Sequence, residues 1–177
     1  CASEDTGWAL HLVTLWQDQT LVAACPVYAK THSYGEYVFD WAWARAYESH
    51  GLPYYPKAVI AVPFTPVPGL RLLARDGHAR AALIDAIESW AGDNSCSSVH
   101  CLFLSAAEQE ATDAAKWSTR LGVQFHWRNE GWETFDQFLS ALQQAKRKKI
   151  KAERRKVTEA GMTFETLAGQ EITAEHW

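Results

Sequence analysis

A continuous apolar run at residues 58–62, AVIAV, constrains the fold of this chain more than any other feature. Runs that do not alternate with polar residues form strands that are covered on both faces of a sheet. We therefore predict a central strand over residues 57–62. Pro63, Pro66 and Pro68 follow, and proline cannot donate a backbone hydrogen bond to a continued strand. The strand is therefore predicted to run into a stiff loop.

The flanking segments predict the order of the remaining elements. Strands are predicted at 8–15, 21–28, 97–104, 123–128 and 162–167, and helices at 40–50, 79–90, 106–121 and from 134 to near 161, the last either continuous or restarting after Gln144. Pro26 interrupts the second strand, so a bulge or an edge position is expected there. Thr134, with Gln137 three residues later, matches a capping box at the start of the last helix. The order predicts a mixed α/β domain with one central sheet flanked by helices.

Composition is typical of a globular domain that does not span a membrane. The chain has 177 residues, 47% apolar and 21% charged, and no run approaches the roughly 18 apolar residues of a membrane helix. The four cysteines form no CxxC pair, which argues against a structural metal site and favours a reducing cytoplasm. The chain begins without methionine, so we expect a fragment of a longer protein.

Positive charge is concentrated in one block. Residues 146–156 hold eight cations and one acid, which leaves 9 of the 17 cations and 20 of the 21 acids elsewhere. Such a block indicates an anionic partner such as phosphate, nucleic acid or a lipid head group, or else a solvated helix. No aromatic stacking platform is recognisable beside it, which disfavours a specific nucleic-acid module.

A second unusual stretch, residues 32–37, reads HSYGEY. Polar aromatic groups at this density in a connection are typical of a site, although a structural loop is the alternative. Glu36 lies between Tyr34 and Tyr37, where partial burial would raise the pKa of its carboxyl, so it is a candidate general base. His126, which alternates with aromatic neighbours, is the other candidate; the alternative is an ordinary strand histidine.

Several motifs together resemble a known bacterial family. They are KTHSYGEYVFDWAWARAYE, YYPKAVIAVPFTPVPGLRLL, SSVHCLF, QFHWRN, and FDQFLSAL followed by KRKKIKAERRKV. In this order they resemble the FemAB-like family (peptidoglycan biosynthesis/recognition) of the GNAT acyltransferase superfamily. The resemblance implies a GNAT-like (acyl-CoA N-acyltransferase) α/β fold. It further implies that residues 1–177 are a single GNAT-like domain from a longer tandem-domain protein.

The resemblance also implies chemistry, namely transfer of an acyl or aminoacyl group to an amine, with a peptidoglycan precursor as the acceptor. Acyl-CoA or aminoacyl-tRNA would be the donor, with no covalently bound cofactor. By position in that superfamily, the donor phosphates would contact the loop before the second predicted helix, at Phe64, Thr65, Gly69, Arg71, Arg75 and Gly77. The prolines of this loop depart from the usual glycine-rich pattern and remove amides that would bind phosphate.

The remaining site predictions concern the acceptor and an anionic partner. His32, Tyr34, Tyr37 and Tyr55 are predicted to line an acceptor pocket, and Lys146 and Arg147 to contact an anionic ligand or tRNA. Three classes of function stay open at this point. They are a cytoplasmic transferase, a non-catalytic GNAT-like domain that recognises a peptidoglycan-type or other anionic ligand, and an RNA-contacting protein that uses the basic helix.

Overall fold

The structure is a computed structural model that describes residues 2–177, so Cys1 lies outside the described residues. The chain divides into two compact units, the first ending at Leu121 and the second running from Gly122 to Trp177. Each unit is described by itself below. It stays a prediction that residues 1–177 form a single domain of a longer protein.

The first unit alternates strands and helices in the predicted order. Its elements are β1 (Trp8–Gln17), β2 (Thr20–Lys30), α1 (Trp41–Ser49), β3 (Lys57–Ile60), β4 (Leu73–Ala74), α2 (Gly77–Asp93), β5 (Val99–Cys101) and α3 (Ala106–Ala114). The sheet order is β1-β2-β3-β5, with β4 also paired to β2. The pairs β1–β2, β2–β3 and β2–β4 are antiparallel and β3–β5 is parallel, so the predicted mixed central sheet is confirmed.

The hydrophobic core lies between the sheet and α2. From β2 and β3, Val27, Ala58 and Ile60 pack in the same cluster as Leu83 and Ile87 of α2. Trp8, Val59, Ala61 and Leu102 form a smaller cluster. Val59 alternates along β3 with Ala58 and Ile60 of the main core, so this cluster lies on the other face of the sheet. All four residues of β3 are buried, as expected for an uninterrupted apolar strand in the middle of a sheet.

Pro26 is accommodated by the pattern of strand pairing. It lies opposite Leu12 in the β1–β2 ladder, whereas the bulge occurs at Leu15/Trp16. On the other side of β2, β4 pairs with Ala23 and Ala24, and β3 pairs with Tyr28 through Lys30. Pro26 thus lies between the two pairings, where its missing amide costs no ladder bond. The absence of a paired residue on this side of Pro26, within residues 2–177, agrees with the predicted edge position. The bulge of the β1–β2 pair lies instead at Leu15/Trp16.

The second unit contains α4 (Phe135–Ala141) and α5 (Gln144–Glu159), the basic helix. The capping box is confirmed, since Gln137 N donates to Thr134 Oγ1 over 3.2 Å. The basic segment begins a separate helix instead of continuing α4. Arg154 of α5 lies over the Phe135 ring, 4.3 Å from its centroid, and thereby connects the two helices.

Three secondary-structure predictions were wrong. Segments 123–128 and 162–167 are not strands, and Phe125 and Phe164 are largely exposed. Alternation of apolar residues favours a strand only where a partner strand and a core face are present. Helix α3 ends at Ala114, well before residue 121, because Lys116 adopts a left-handed conformation with φ of 62°.

Candidate functional site

Two buried lysines lie side by side on the sheet. Lys30 of β2 is paired with Lys57 of β3, Trp8 of β1 is paired with Lys30, and all three side chains are almost fully buried. The Nζ atom of Lys30 lies 3.4 Å from the centroid of the Trp8 ring. A cation on an aromatic face is partly compensated for its lost hydration, although it still needs a counter-charge when buried.

Carboxylates from the segment between β2 and α1 supply that counter-charge. Lys57 Nζ donates to Glu36 Oε2 over 2.8 Å, to Ser33 Oγ over 2.9 Å, and to Asp40 Oδ2. Lys30 Nζ lies 3.6 Å from Glu36 Oε1. We call these five residues the Lys57 cluster. Because paired buried charges are costly to separate, the cluster holds residues 31–40 against the sheet.

The environment shifts the pKa values of three members of the Lys57 cluster. Burial raises the pKa of Glu36, and the nearby Lys57 and Lys30 only partly offset this effect. Burial would also raise the pKa of Asp40, but hydrogen bonds, foremost that from Lys57, hold this pKa below its ordinary value. Burial lowers the pKa of Lys30 to about 8. The predicted rise for Glu36 is present, but its carboxylate lies inside an ion-paired cluster and not beside a free reacting group.

Two tyrosines connect the Lys57 cluster to an open cleft. Tyr54 OH donates to Asp40 Oδ2 over 2.7 Å, and Tyr55 OH lies 2.8 Å from Ser33 Oγ. Both tyrosines line a cleft of about 590 Å³ together with Ala44, Glu48, Gly51, Leu52 and Pro53. A hydrogen-bonded path therefore leads from the cleft, through Tyr55 and Ser33, to the buried ammonium of Lys57.

His100 lies beside this path as a neutral side chain. Its Nε2 atom is 2.8 Å from Ser98 Oγ and 3.4 Å from Tyr54 OH. Burial, foremost, and the charge of Lys57 lower the pKa of His100 to about 4. The imidazole is therefore uncharged at neutral pH and acts as a hydrogen-bonding neighbour of Tyr54.

Exposed aromatic side chains alternate with the buried acids of the same segment. We call residues 34–43 the anchored aromatic segment, because Glu36 and Asp40 are buried within it. Its exposed rings are those of Tyr34, Tyr37, Phe39, Trp41 and Trp43. The rings of Phe39 and Trp41 lie 5.4 Å apart between centroids. Several exposed large apolar side chains on one short segment are typical of binding sites.

Gly35 permits the close approach of this segment to the sheet. Its φ is 81°, and a Cβ atom would lie 2.8 Å from the Phe64 ring and 3.0 Å from the Trp8 ring. Phe64 N also donates to Gly35 O over 3.0 Å. Phe64, predicted to contact an acyl donor, therefore packs on the segment and on Trp8, with 5.8 Å between ring centroids.

Arg71 of the predicted donor loop is bound by the protein itself. Its guanidinium donates to the carbonyls of Val67, Leu70 and Leu102 over 2.6, 3.2 and 3.0 Å. The amides of Arg71 and Leu72 donate to Glu108 Oε1 over 2.5 and 2.6 Å. Glu108 is fully buried, so its carboxylate occupies two of the loop amides that a phosphate would need.

The other predicted donor-binding residues differ in how far hydrogen bonds and ion pairs within the protein already occupy them. Arg75 is exposed and pairs with Asp76 over 3.0 Å, and Asp76 caps α2 by accepting from Ala79 N over 2.8 Å. Gly77 begins that helix. Thr65 donates to Pro63 O over 3.1 Å, and Gly69 N donates to Phe103 O over 3.1 Å. Donor binding by these residues stays a prediction, with Arg75 as the most accessible cation.

Three of the predicted acceptor residues lie within residues 32–37, and the fourth, Tyr55, lies in the cleft beside them in the first unit. His32 Nε2 lies 2.8 Å from Thr6 O, and the rings of His32 and Tyr34 are 5.3 Å apart between centroids. Tyr34 and Tyr37 are exposed on the anchored aromatic segment, and Tyr55 lines the cleft.

The remaining predicted residues belong to the second unit. His126 is exposed in a segment without regular secondary structure. It therefore belongs to a different unit from Glu36, the other candidate base. On α5, Lys146 is exposed and Arg147 is half-buried, with Nη1 of Arg147 donating to Ser140 O over 3.4 Å.

An aromatic cluster lies next to α5. Trp127, Trp132, Phe135 and Phe138 line a cleft of about 360 Å³. The Trp127 and Trp132 rings are 6.1 Å apart and stacked, and Arg154 of α5 lies over Phe135. The basic block is therefore accompanied by aromatic rings, which the stretch just before it in the sequence contributes.

Sequence reasoning missed the lysines that organise the candidate site. Lys57 opens the fully buried strand and Lys30 ends β2, while Glu36 and Asp40 follow within ten residues of Lys30. A lysine inside a strand that is predicted to be covered on both faces must find a carboxylate. Lys57, at the start of the apolar run, was therefore the residue from which a buried ion pair could have been predicted.

A family model described as FemAB-like, peptidoglycan biosynthesis/recognition, matches residues 1–177. This chain belongs to the FemAB-like family. The resemblance noted from the motifs is thus confirmed, and membership connects the chain with peptidoglycan biosynthesis or recognition. No match was found among curated proteins or among solved structures. The GNAT-like fold of this FemAB-like chain accordingly stays a prediction, whereas its mixed α/β architecture is established.

Two further observations bear on the partners of this FemAB-like chain. No helix within residues 2–177 has the length and apolar character needed to cross a membrane. In the same described residues, no group of three or more His, Cys, Asp or Glu side chains has the arrangement of a metal site.

Proposed function

We propose that this FemAB-like chain recognises a peptidoglycan-type ligand through the anchored aromatic segment and the adjoining cleft. The observation that carries the proposal is the exposure of Tyr34, Tyr37, Phe39, Trp41 and Trp43 on a segment that buries Glu36 and Asp40. Exposing five aromatic side chains is unfavourable in water unless another surface covers them. The family connection with peptidoglycan supplies the class of that surface.

The chemistry of such a ligand fits these side chains. Sugar rings have apolar C–H faces, which pack on aromatic faces, and polar edges, which hydrogen-bond to tyrosine hydroxyls and carboxylates. Tyr55 and Glu48 offer those polar groups in the cleft. Because Lys57 holds Glu36 and Asp40 in place, the segment loses little conformational entropy on binding.

Binding to a soluble disaccharide-peptide fragment of peptidoglycan, measured by calorimetry, tests the proposal. We expect Trp41→Ala and Tyr37→Ala each to weaken binding by about tenfold, as for contact aromatics in other interfaces. Trp16→Ala is the matched control, because Trp16 is an exposed aromatic on β1. Absence of binding, or equal weakening by all three variants, would contradict recognition through this segment.

The second candidate function is transfer of an acyl or aminoacyl group to an amine of a peptidoglycan precursor. The path from Tyr55 through Ser33 to Lys57 favours it, since the buried ammonium donates to Ser33 Oγ and so leaves the Tyr55 hydroxyl able to donate to an oxyanion that forms in the cleft. In such a step the amine attacks the acyl carbonyl and a C–N bond forms. The thioester or ester bond of acyl-CoA or aminoacyl-tRNA breaks, and the proton that the nitrogen loses passes through the base, predicted as Glu36 or His126, to the leaving thiolate or alkoxide.

Turnover separates this candidate from recognition alone. The chain is incubated with acyl-CoA or aminoacyl-tRNA and the same fragment, and the acylated amine is followed by mass spectrometry. We expect Tyr55→Phe to slow turnover by a larger factor than it weakens binding, because the hydroxyl supplies one hydrogen bond to the ligand but also ends the path from Lys57. Glu36→Gln and His126→Ala report on the two predicted bases, and Arg75→Ala on the donor. Binding of the fragment without consumption of either donor would leave recognition as the function.

A further inference from the structure

The second unit carries its positive charge on one helix. Helix α5 holds eight cations against Glu153 and Glu159. Three of the cations form ion pairs, Lys149–Glu153 at 3.9 Å, Lys151–Asp136 at 3.6 Å and Arg155–Glu159 at 3.6 Å, all between exposed side chains. Exposed pairs of this kind are weak, so the helix keeps a strongly positive potential towards an external anion.

The same unit exposes large apolar side chains. Phe125 is 96% exposed and Phe164 is 85% exposed, and Val123, Trp127 and Met162 are also well exposed. None of these side chains has a charged or hydrogen-bonding head that would favour water, apart from the indole N–H of Trp127. Exposure of this extent within one unit marks a surface that another apolar phase covers.

A chain of ring contacts joins Trp127, one of these exposed side chains, to the basic helix. Trp127 lies 6.0 Å from Phe138, Phe138 lies 5.7 Å from Phe135, and the guanidinium of Arg154 lies 4.3 Å from the Phe135 ring, each measured to ring centroids. The aromatic and cationic groups are therefore contiguous within this unit.

We propose that the second unit docks on an anionic lipid surface. The cations of α5 attract anionic head groups, and Phe125 and Trp127 enter the boundary between head groups and acyl chains. This inference does not depend on the proposed function, because that function rests on the first unit.

The geometry favours a lipid surface over single-stranded nucleic acid. Base stacking needs free ring faces, but Phe138 contacts Trp127 and Trp132 in edge-to-face pairs at 86° and 65°, and the two tryptophans stack on each other. The aliphatic Val123 and Met162 offer nothing for a base to stack on but are suited to acyl chains.

Co-sedimentation of the whole chain with phospholipid vesicles tests the proposal. Binding is expected to vesicles that contain phosphatidylglycerol, and much less to phosphatidylcholine alone. The double variant Lys148→Gln/Lys156→Gln is expected to weaken binding by about 30-fold, since each cation near the surface contributes about fivefold. The control Arg45→Gln/Lys116→Gln makes the same change in net charge at two exposed positions of the first unit and is expected to bind normally.

A second pair of variants tests the apolar contribution. Phe125→Ser is expected to weaken vesicle binding by about tenfold or more, given the apolar area that it removes. Leu70→Ser, which removes an exposed apolar side chain of the first unit, is the control. The proposal is overturned if phosphatidylglycerol vesicles are not bound, or if both charge variants weaken binding equally. It is also overturned if Phe125→Ser has no effect and a single-stranded oligonucleotide binds more tightly than vesicles at the same salt concentration.

Discussion

Lys30 and Lys57 lie opposite each other on neighbouring strands, and both side chains are fully buried. Like charges in this relationship repel, so the pair is stable only because Glu36 and Asp40 lie against it. The carboxylates come from the same segment that exposes five aromatic side chains. A buried electrostatic requirement of the sheet thus fixes the position of a candidate recognition surface.

Replacing Lys57 should strongly destabilise the first unit. Lys57→Met leaves Glu36 and Asp40 without their main buried counter-charge, and breaking such a pair typically costs about 3–5 kcal/mol. We expect a loss of this size in the free energy of unfolding, measured with urea. Lys116→Met removes an exposed lysine and serves as control. Equal stability of the two variants would show that the Lys57 cluster contributes nothing.

The stability contributed by Lys30 should depend on pH in the alkaline range. Its pKa is lowered by burial to about 8 from 10.5, so between these values the unfolded chain binds more protons than the folded one. The stability of the wild type relative to Lys30→Met should therefore rise as the pH increases from about 8 to 10.5. The contributions of tyrosines and cysteines to the pH dependence are the same in both proteins and cancel in the difference. A flat difference would rule out the lowered pKa.

Gly35→Ala should cost more than an ordinary glycine replacement. Gly35 and Gly51 both have positive φ, 81° and 68°, but a Cβ at Gly51 meets nothing within 4 Å, whereas at Gly35 it meets Phe64 and Trp8. Gly51→Ala should cost about 1–2 kcal/mol from its backbone conformation alone. We expect Gly35→Ala to lower the melting temperature further, and Phe64→Ala to recover part of the loss. If the two glycine variants have the same melting temperature, the contact of a Cβ at residue 35 with Phe64 and Trp8 does not destabilise the protein.

Glu108→Gln should destabilise the first unit and change its response to acid. Burial would raise the pKa of Glu108, but hydrogen bonds, foremost that from the Leu72 amide, hold this pKa below its usual 4.5. The resulting stability is present above about pH 4.5 and is lost as the pH falls through the lowered pKa. We expect Glu108→Gln to cost about 1–3 kcal/mol at neutral pH and to unfold with a weaker acid dependence. Glu110→Gln, exposed on the same helix, should match the wild type in both measurements.

The sequence predicted the elements whose pattern is local or whose burial is complete. The hairpin of β1 and β2, the buried β3, the amphipathic α2 and the capping box at Thr134 all follow from such patterns. The predicted strands at 123–128 and 162–167 were wrong, because their alternation does not specify a partner strand. The two-residue β4 was missed, because so short a strand leaves no periodic signal.

The candidate site was predicted only in part. Residues 32–37 were predicted to form a site from their composition, and a raised pKa of Glu36 was predicted from its neighbours. Its pairing with Lys57, 21 residues further along the chain, was not. Nor did the sequence indicate that Glu108 would bind the amides of Arg71 and Leu72.

The sequence by itself determined the family, the alternation of strands and helices and the concentration of charge in α5, because these depend on residue order. Only the tertiary structure decided what the charged groups of the first unit do. Lys30 and Lys57 become neighbours through the pairing of β2 with β3, and the return of the chain over the sheet brings Glu36 and Asp40 to them. The physical reason is that a buried charge must be paired, and the partner that satisfies it is chosen by distance in the folded chain.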